Sequence, residues 1–349
     1  MSLHQPGGAM TTIKYAASAL LRRLGCFLFA LSACDFARKT KEAPLRLPRA
    51  AAGEPPRSGV GTKIVYVIRH GESQWNTAQK RKDPLAMFGQ FDHALTMRGV
   101  EQAEGLRSRI RSASRYSKAR IELERAGIIY CSPLTRALQT ALISLAAHPA
   151  LRSDRAGVVL IPECRELCYP VAGFDSLRGQ MGDGIASRAI RRARRVATLR
   201  SLGPLERGAL HVDASATEEV WWGFESRRGA SARLTSFMER LCTSEHGVLI
   251  VVGHSLFFQA IFDNFASDEV KRTNPLVRRL SNSKLKNAQM ARLTLDCSKP
   301  LRETIVSAEL CFDDEADGEP KLPKRASLEK MPRGGRRTAA TGKLRRLGK

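Results

Sequence analysis

The feature that most constrains the fold is an unbroken apolar, largely β-branched run, Ile64-Val65-Tyr66-Val67-Ile68, that ends directly in Arg69-His70-Gly71-Glu72. A strand without polar alternation must be covered on both faces, as in a parallel sheet clad by helices. Runs of the same kind recur at Gly127–Tyr130, Val158–Ile161 and Val248–Val252, with a more alternating one near Met290–Leu295. Between them lie segments of helical periodicity at Arg98–Ala113, Pro133–Ala147, Glu225–Cys242 and from Ser255 onward. Strand and helix alternating at this spacing predict an α/β layered domain.

A chain of 349 residues, 43% of them hydrophobic, has ample length to bury a core. Its formal charge of +24 would point to nucleic acid if it were evenly spread. Residues 1–58 hold +6 of it and residues 321–349 hold +10, which leaves +8 for residues 59–320. Like-charged ends of this kind read as solvated tails, with electrostatic contact to a polyanion as the sharper alternative. The expected organisation is therefore a leader or disordered linker at 1–58, an ordered domain at 59–315, and a basic disordered tail at 316–349. Within the domain, residues 178–210 carry eight arginines against two acids. They form an insertion that reads either as a surface helix or as an anion-binding flap.

No acid precedes Asp35, and a proline-containing linker follows at 52–57. An organellar transit peptide, a secretory signal and an extension without an address all fit that stretch. Leu24–Cys34 is too short to span a bilayer, so no integral membrane span is expected. Eight cysteines with no Cys-x-x-Cys pair make neither a zinc module nor a disulfide framework. With no Asn-x-Ser/Thr site, they favour a reducing compartment, cytoplasmic or organellar.

Reactive residues follow four of the predicted strands. The first runs into Arg69-His70-Gly71-Glu72, and the second into Ser132-Pro133-Leu134-Thr135-Arg136. The third reaches Glu163 and Glu166, and the fourth Gly253-His254-Ser255. Ligands of open α/β sheets bind beyond the carboxyl ends of the strands, so these groups can converge. Gly71 would let the backbone approach a ligand or take a positive φ. Ser132 as N-cap and Pro133 in the first turn would place Arg136 near the free N–H groups of a helix start, an anion site. The local chemistry suits a phosphoryl group: arginines for multidentate recognition, a neutral imidazole as acceptor, and a carboxyl to protonate a leaving alkoxide. Gly59-Val60-Gly61-Thr62-Lys63 lacks the spacing of a Walker loop, and no pair of histidines is spaced as metal ligands.

Taken together, these motifs resemble the histidine phosphatase superfamily in its phosphoglycerate mutase-like branch. The resemblance runs through Arg69-His70-Gly71-Glu72-Ser73-x-Trp75-Asn76 and Phe91-Asp92-His93-Ala94-Leu95-Thr96-x-x-Gly99-x-x-Gln102-Ala103. It continues in Ser132-Pro133-Leu134-x-Arg136-Ala137-x-Gln139-Thr140-Ala141 and Val251-Val252-Gly253-His254-Ser255. It implies a three-layer α/β/α sandwich around a mixed, mostly parallel sheet, and catalysis without a metal or organic cofactor. His70 would form a phosphohistidine, while Arg69, Arg136 and His254 would hold the phosphoryl oxygens and Asn76 would touch the phosphate or substrate. Glu166 matches the family's acid best, because Arg165-Glu166 copies its usual Arg-Glu pair. Glu163 and then Asp175 stand behind it.

The departures bear on activity. Phe88-Gly89-Gln90-Phe91 stands where mutases carry Phe-x-Gly-Trp. Leu167-Cys168-Tyr169-Pro170 follows the acid where they carry Arg-His-Tyr-Gly, and no Asn-Lys pair or arginine pair before a proline pair is present. The second-histidine motif also lacks the His-Asp pair of the acid phosphatase and phytase branch. The expected activity is therefore hydrolysis of a small-molecule phosphomonoester or a phosphoprotein. A mutase or sugar-bisphosphate phosphatase is the nearest alternative, and a non-catalytic phosphate-binding scaffold the alternative of another class.

Overall fold

The computed structural model describes residues 61–88, 92–152, 157–167, 187–188, 191–192, 195, 212–217 and 225–313. The leader, the basic tail and most of the Arg-rich insertion lie outside the described residues. The strands are β1 (Thr62–Arg69), β2 (Ile128–Cys131), β3 (Val158–Leu160), β4 (Val212–Asp213), β5 (Val248–Gly253), β6 (Met290–Asp296) and β7 (Ile305–Cys311). The helices are α1 (Gln74–Arg81), α2 (Pro84–Phe88), α3 (Met97–Ser112), α4 (Lys118–Glu124) and α5 (Thr135–Ser144). They continue with α6 (Pro149–Arg152), α7 (Arg227–Thr243), α8 (Ser255–Phe265), α9 (Asp268–Thr273) and α10 (Pro275–Asn282).

The strands form one sheet in the order β4-β3-β2-β5-β1-β6-β7. The pairings from β4 through to β1 are parallel, and β6 and β7 add antiparallel pairs at one side. Consecutive residues of β1 divide between two cores. Tyr66 and Ile68 pack with α3, α4 and α5, whereas Val65 and Val67 pack with α7, α8 and α10. That division is why the run needs no polar alternation, and it makes the fold the expected three-layer α/β/α sandwich around a mixed, mostly parallel sheet.

Several details depart from the sequence reading. The helix after β2 starts at Thr135, not Pro133, and its N-cap is Leu134, which supplies no side-chain bond. Asp92 takes the capping role from a distant loop, accepting from Thr135 N at 2.7 Å. Strand β7 was not foreseen: its buried residues, Ile305, Ala308 and Cys311, stand three apart and do not show the alternation of a half-buried strand. Cys242 at the end of α7 is disulfide-bonded to Cys297, just beyond β6, with Cα atoms 5.4 Å apart. This single bond is not the disulfide framework the sequence argued against, and it was not foreseen, because its spacing of 55 residues carries no local signature. No helix among the described residues is long and apolar enough to cross a membrane.

Candidate active site

The strand register brings the reactive residues to one edge. Arg69 lies opposite Gly253 on the paired strands β1 and β5. His70 N donates to Gly253 O at 3.0 Å, Ser132 N to Val252 O at 2.9 Å, and Ile161 N to Cys131 O at 3.0 Å. The segments leaving β1, β2, β3 and β5 therefore start from a single line across the carboxyl ends of the sheet.

His70 is 3% exposed, and its Nδ1 meets the carbonyl of Gly71 at 2.6 Å. That carbonyl can only accept, so Nδ1 carries the proton and Nε2 the lone pair of the neutral ring. His254 follows β5 directly and stands at the N-cap of α8, with its ring centroid 5.0 Å from that of His70. Its Nε2 lies 2.7 Å from Ser132 Oγ, the real task of the serine expected to cap a helix. Burial pushes the pKa of His254 well below the ordinary imidazole value, and Arg136, His70 and Arg69 push the same way. His254 is therefore a neutral ring inside a cationic surround.

Arg69 and Arg136 supply that surround. Arg69 anchors one end of its guanidinium on Leu285 O at 2.7 Å. Burial lowers its pKa, Glu166 counters this, and Arg136 adds to the lowering. Arg136 is 2% exposed in the first turn of α5, a helix whose residues are all buried. Two guanidinium groups repelling each other out of water favour an incoming anion. Arg69 Nε is buried with no hydrogen-bond partner among the described residues, a donor that an anion can satisfy.

Glu166 is 6% exposed and reaches the start of α8. Its Oε1 accepts from Leu167 N and Phe257 N, each at 3.0 Å. Oε2 is held more loosely, 3.4 Å from Leu256 N and 3.5 Å from Ser255 Oγ, and is the oxygen better placed to carry and release a proton. Glu163 instead pairs with Arg240 of α7 at 2.6 Å. Asp175 lies outside the described residues. Asn76 commits its Oδ1 to Ser73 N and Oγ, each at 3.1 Å, closing the capping box of α1. Only its Nδ2 remains to meet a ligand.

Other signature residues hold the loop after β1. Gln102 Oε1 accepts from Glu72 N at 2.8 Å, Thr140 Oγ1 from Gly71 N at 3.0 Å, and Gln139 Oε1 from Leu95 N at 3.0 Å. A Cβ on Gly71 would stand 2.4 Å from Gly99 O, and one on Gly99 would stand 2.0 Å from Glu72 O. Gly71 thus admits the backbone of α3, and it does not take the positive φ that the sequence allowed for. Arg188, in the Arg-rich insertion, lies 3.8 Å from the buried carboxylate of Asp92. Sequence reasoning missed these roles, although Gln139 and Thr140, inside the fully buried helix α5, signal buried backbone partners.

Residues 65–170 match the sequence model of the Histidine phosphatase superfamily (branch 1). The "Probable phosphoglycerate mutase GpmB" of Proteus mirabilis (strain HI4320) is 36% identical over 105 residues, which cover 30% of this chain and 37% of that protein. The chain thus spans little more than a third of that relative. The "Phosphoglycerate mutase-like protein" of Arabidopsis thaliana is 25% identical over 222 residues, 59% of this chain and 76% of that protein. Among solved structures, phosphoglycerate mutase from Bacillus anthracis str. Sterne aligns at 15% identity with a TM-score of 0.39, covering 71% of this chain and 95% of its own. The matched stretch ends before β5, and the strand register supplies what lies beyond it by setting His254 beside His70. Over residues 65–170 the chain is thus similar to the histidine phosphatase superfamily (branch 1), and both sequence relatives carry phosphoglycerate mutase names.

Proposed function

We propose that this chain is a phosphomonoester hydrolase acting through a phosphohistidine at His70. The observation that carries this reading is the tie between His70 Nδ1 and Gly71 O, which leaves the lone pair on Nε2 at a buried edge lined by Arg69, Arg136 and His254. In the first half-reaction Nε2 bonds to phosphorus, the ester P–O bond breaks, and Glu166 gives its proton to the departing oxygen. In the second, water bonds to phosphorus, Glu166 accepts the proton released, and the N–P bond breaks to restore His70. Arg69, Arg136 and His254 hold the equatorial oxygens as charge gathers on them, usually the largest catalytic contribution. The Asn76 amide takes part in holding phosphate or substrate. Neither step calls on a metal or an organic cofactor.

Small-molecule phosphomonoesters and phosphoproteins are the proposed substrates. Hydrolysis is favoured over mutase action because the chain lacks the cations a mutase uses to retain a bisphosphate. The mutase reading stands second, supported by the names of the two sequence relatives. The proposed role of the tail at 316–349 is solvation or weak attraction of a polyanion, not chemistry.

The test is phosphate release from a panel of phosphomonoesters and phosphopeptides in the presence of chelator, with His70→Ala beside the wild type. Release that depends on His70 supports the hydrolase. Positional transfer on phosphoglycerates with little release moves the assignment to a mutase. Tight phosphate binding without turnover would leave only the scaffold.

A further inference from the structure

The turn that carries Glu166 is held from behind by a buried ion pair outside the catalytic groups. Arg233, on α7, donates through Nε and Nη2 to the two oxygens of Glu225 at 2.6 and 2.5 Å. Both side chains are 8% exposed. The remaining terminal nitrogen, Nη1, donates to the backbone carbonyls of Glu163 at 2.7 Å and Arg165 at 2.9 Å. Those carbonyls bracket Cys164, which ends the one-turn 3₁₀ helix Pro162–Cys164 immediately before Arg165 and Glu166. Glu225 also lies 3.5 Å from Arg165 Nη2, so one carboxylate faces two guanidinium groups on the two sides of the turn.

The same arginine reaches the other support of the acid. Its Cζ lies 5.8 Å from the ring centroid of Phe257, and Phe257 N is a donor to Glu166 Oε1 at 3.0 Å. Phe237, one turn further along α7, packs on Phe257 with centroids 4.9 Å apart. α7 thus presents Arg233 and Phe237 to both structures that fix Glu166: the turn that bears it and the helix start that binds it. A buried fork with all three nitrogens engaged is rigid, because each displaced contact leaves a desolvated charge or carbonyl.

We infer that Arg233, locked by Glu225, is the positioning residue for Glu166: it sets where the acid's carboxyl stands relative to the leaving oxygen without touching substrate. The inference rests on the phosphohistidine reading above, with Glu166 as proton donor. An error of about 1 Å in placing a catalytic group can cost on the order of 10²-fold in rate. Such a loss falls on the step that needs the proton.

The test compares Arg233→Met, Arg233→Lys, Glu166→Gln and wild type on alkyl phosphates, whose leaving groups need protonation, and on aryl phosphates, whose leaving groups do not. The full-length protein is used, with the pH profile of kcat recorded for each. Arg233→Met is expected to lose about 10- to 100-fold in kcat on alkyl phosphates with little change in KM or in aryl phosphate turnover. The limb of the pH profile that Glu166→Gln removes is expected to shift. Arg233→Lys, which keeps the charge but not the fork, should recover part of the loss. If Arg233→Met does not fold, Glu225→Gln loosens the fork with the arginine in place and carries the same comparison. Equal losses on both ester classes, or an unshifted pH limb, would overturn the positioning role while the selective effect of Glu166→Gln left the acid assignment standing. Should Glu166→Gln itself show no leaving-group selectivity, the acid assignment fails and the role of Arg233 fails with it.

Discussion

His70 and the carbonyl of Gly71 share a 2.6 Å contact that fixes which ring nitrogen holds the proton. If Nε2 attacks phosphorus, rapid quenching of the wild type with substrate should trap a phosphoprotein that is labile to acid and stable to alkali. His70→Ala should retain the fold by circular dichroism and lose both the trapped species and turnover. Substantial turnover in that variant would remove the phosphohistidine mechanism.

A second expectation separates the two glutamates near the acid position. Glu163 is bound to Arg240 in a partly exposed pair, at 39% and 18% side-chain exposure for Arg240 and Glu163. Glu163→Gln should cost no more than about 1 kcal/mol of stability and leave turnover close to wild type. Glu166→Gln should slow alkyl phosphate hydrolysis by about 10²–10⁴-fold. The reverse pattern, read by denaturant titration and steady-state kinetics, would exchange their roles.

His254 sets a pH dependence. Its pKa in the folded protein is held well below the ordinary value, first by burial and then by Arg136, His70 and Arg69. The unfolded chain, with an imidazole pKa near ~6.5, then binds more protons than the folded one below that pH. Stability should fall as pH drops through about 6.5, and His254→Gln should flatten part of that fall. His148, also depressed by burial, keeps the rest of the slope. Denaturant midpoints across pH for both proteins supply the comparison, and identical profiles would contradict it. A bound phosphate analogue such as tungstate should reverse the sign at His254 and draw a proton in on binding, measurable calorimetrically in buffers of different ionisation enthalpy.

The disulfide between Cys242 and Cys297 closes a loop spanning 55 residues. Replacing both by alanine should lower stability by about 2–4 kcal/mol with little effect on turnover. Thiol titration of the unfolded, unreduced protein should find this pair unavailable, while Cys131, Cys164 and Cys311 react. Full reactivity of all of them would dismiss the bond.

The candidate site was legible in the sequence where its residues follow strand exits. A strand buried on both faces is readable as an unbroken run, and its end marks the sheet edge, so Arg69, His70 and His254 could be placed without a structure. Arg136 was found as well, although by way of a helix start two residues too early. Ser132 was misread as a cap because a serine before a proline has a strong local role, and the His254 ring that claims it is 122 residues away. The Arg233 fork was invisible for the same reason: its carbonyl partners lie 70 and 68 residues distant, and backbone acceptors leave no mark on sequence. Pairing of Cys242 with Cys297 needed the packing of α7 against β6, which no periodicity encodes.

The contact between Gly71 and Gly99 joins two stretches of the signature that look independent. Glu72 O stands 2.0 Å from where a Gly99 side chain would begin, so Gly99→Ala must displace the loop that carries His70 and should cost at least about 1–3 kcal/mol. The letters of the motif thus record two different debts, one to the chemistry proposed at His70 and one to the fit of a helix against a loop. A relative that had lost its activity would still be held to Gly71, Gly99, Gln102 and Gln139 by that fit. A scan for the signature therefore finds chains that can fold this way, and only the side chains at the sheet edge separate those that work from those that are silent.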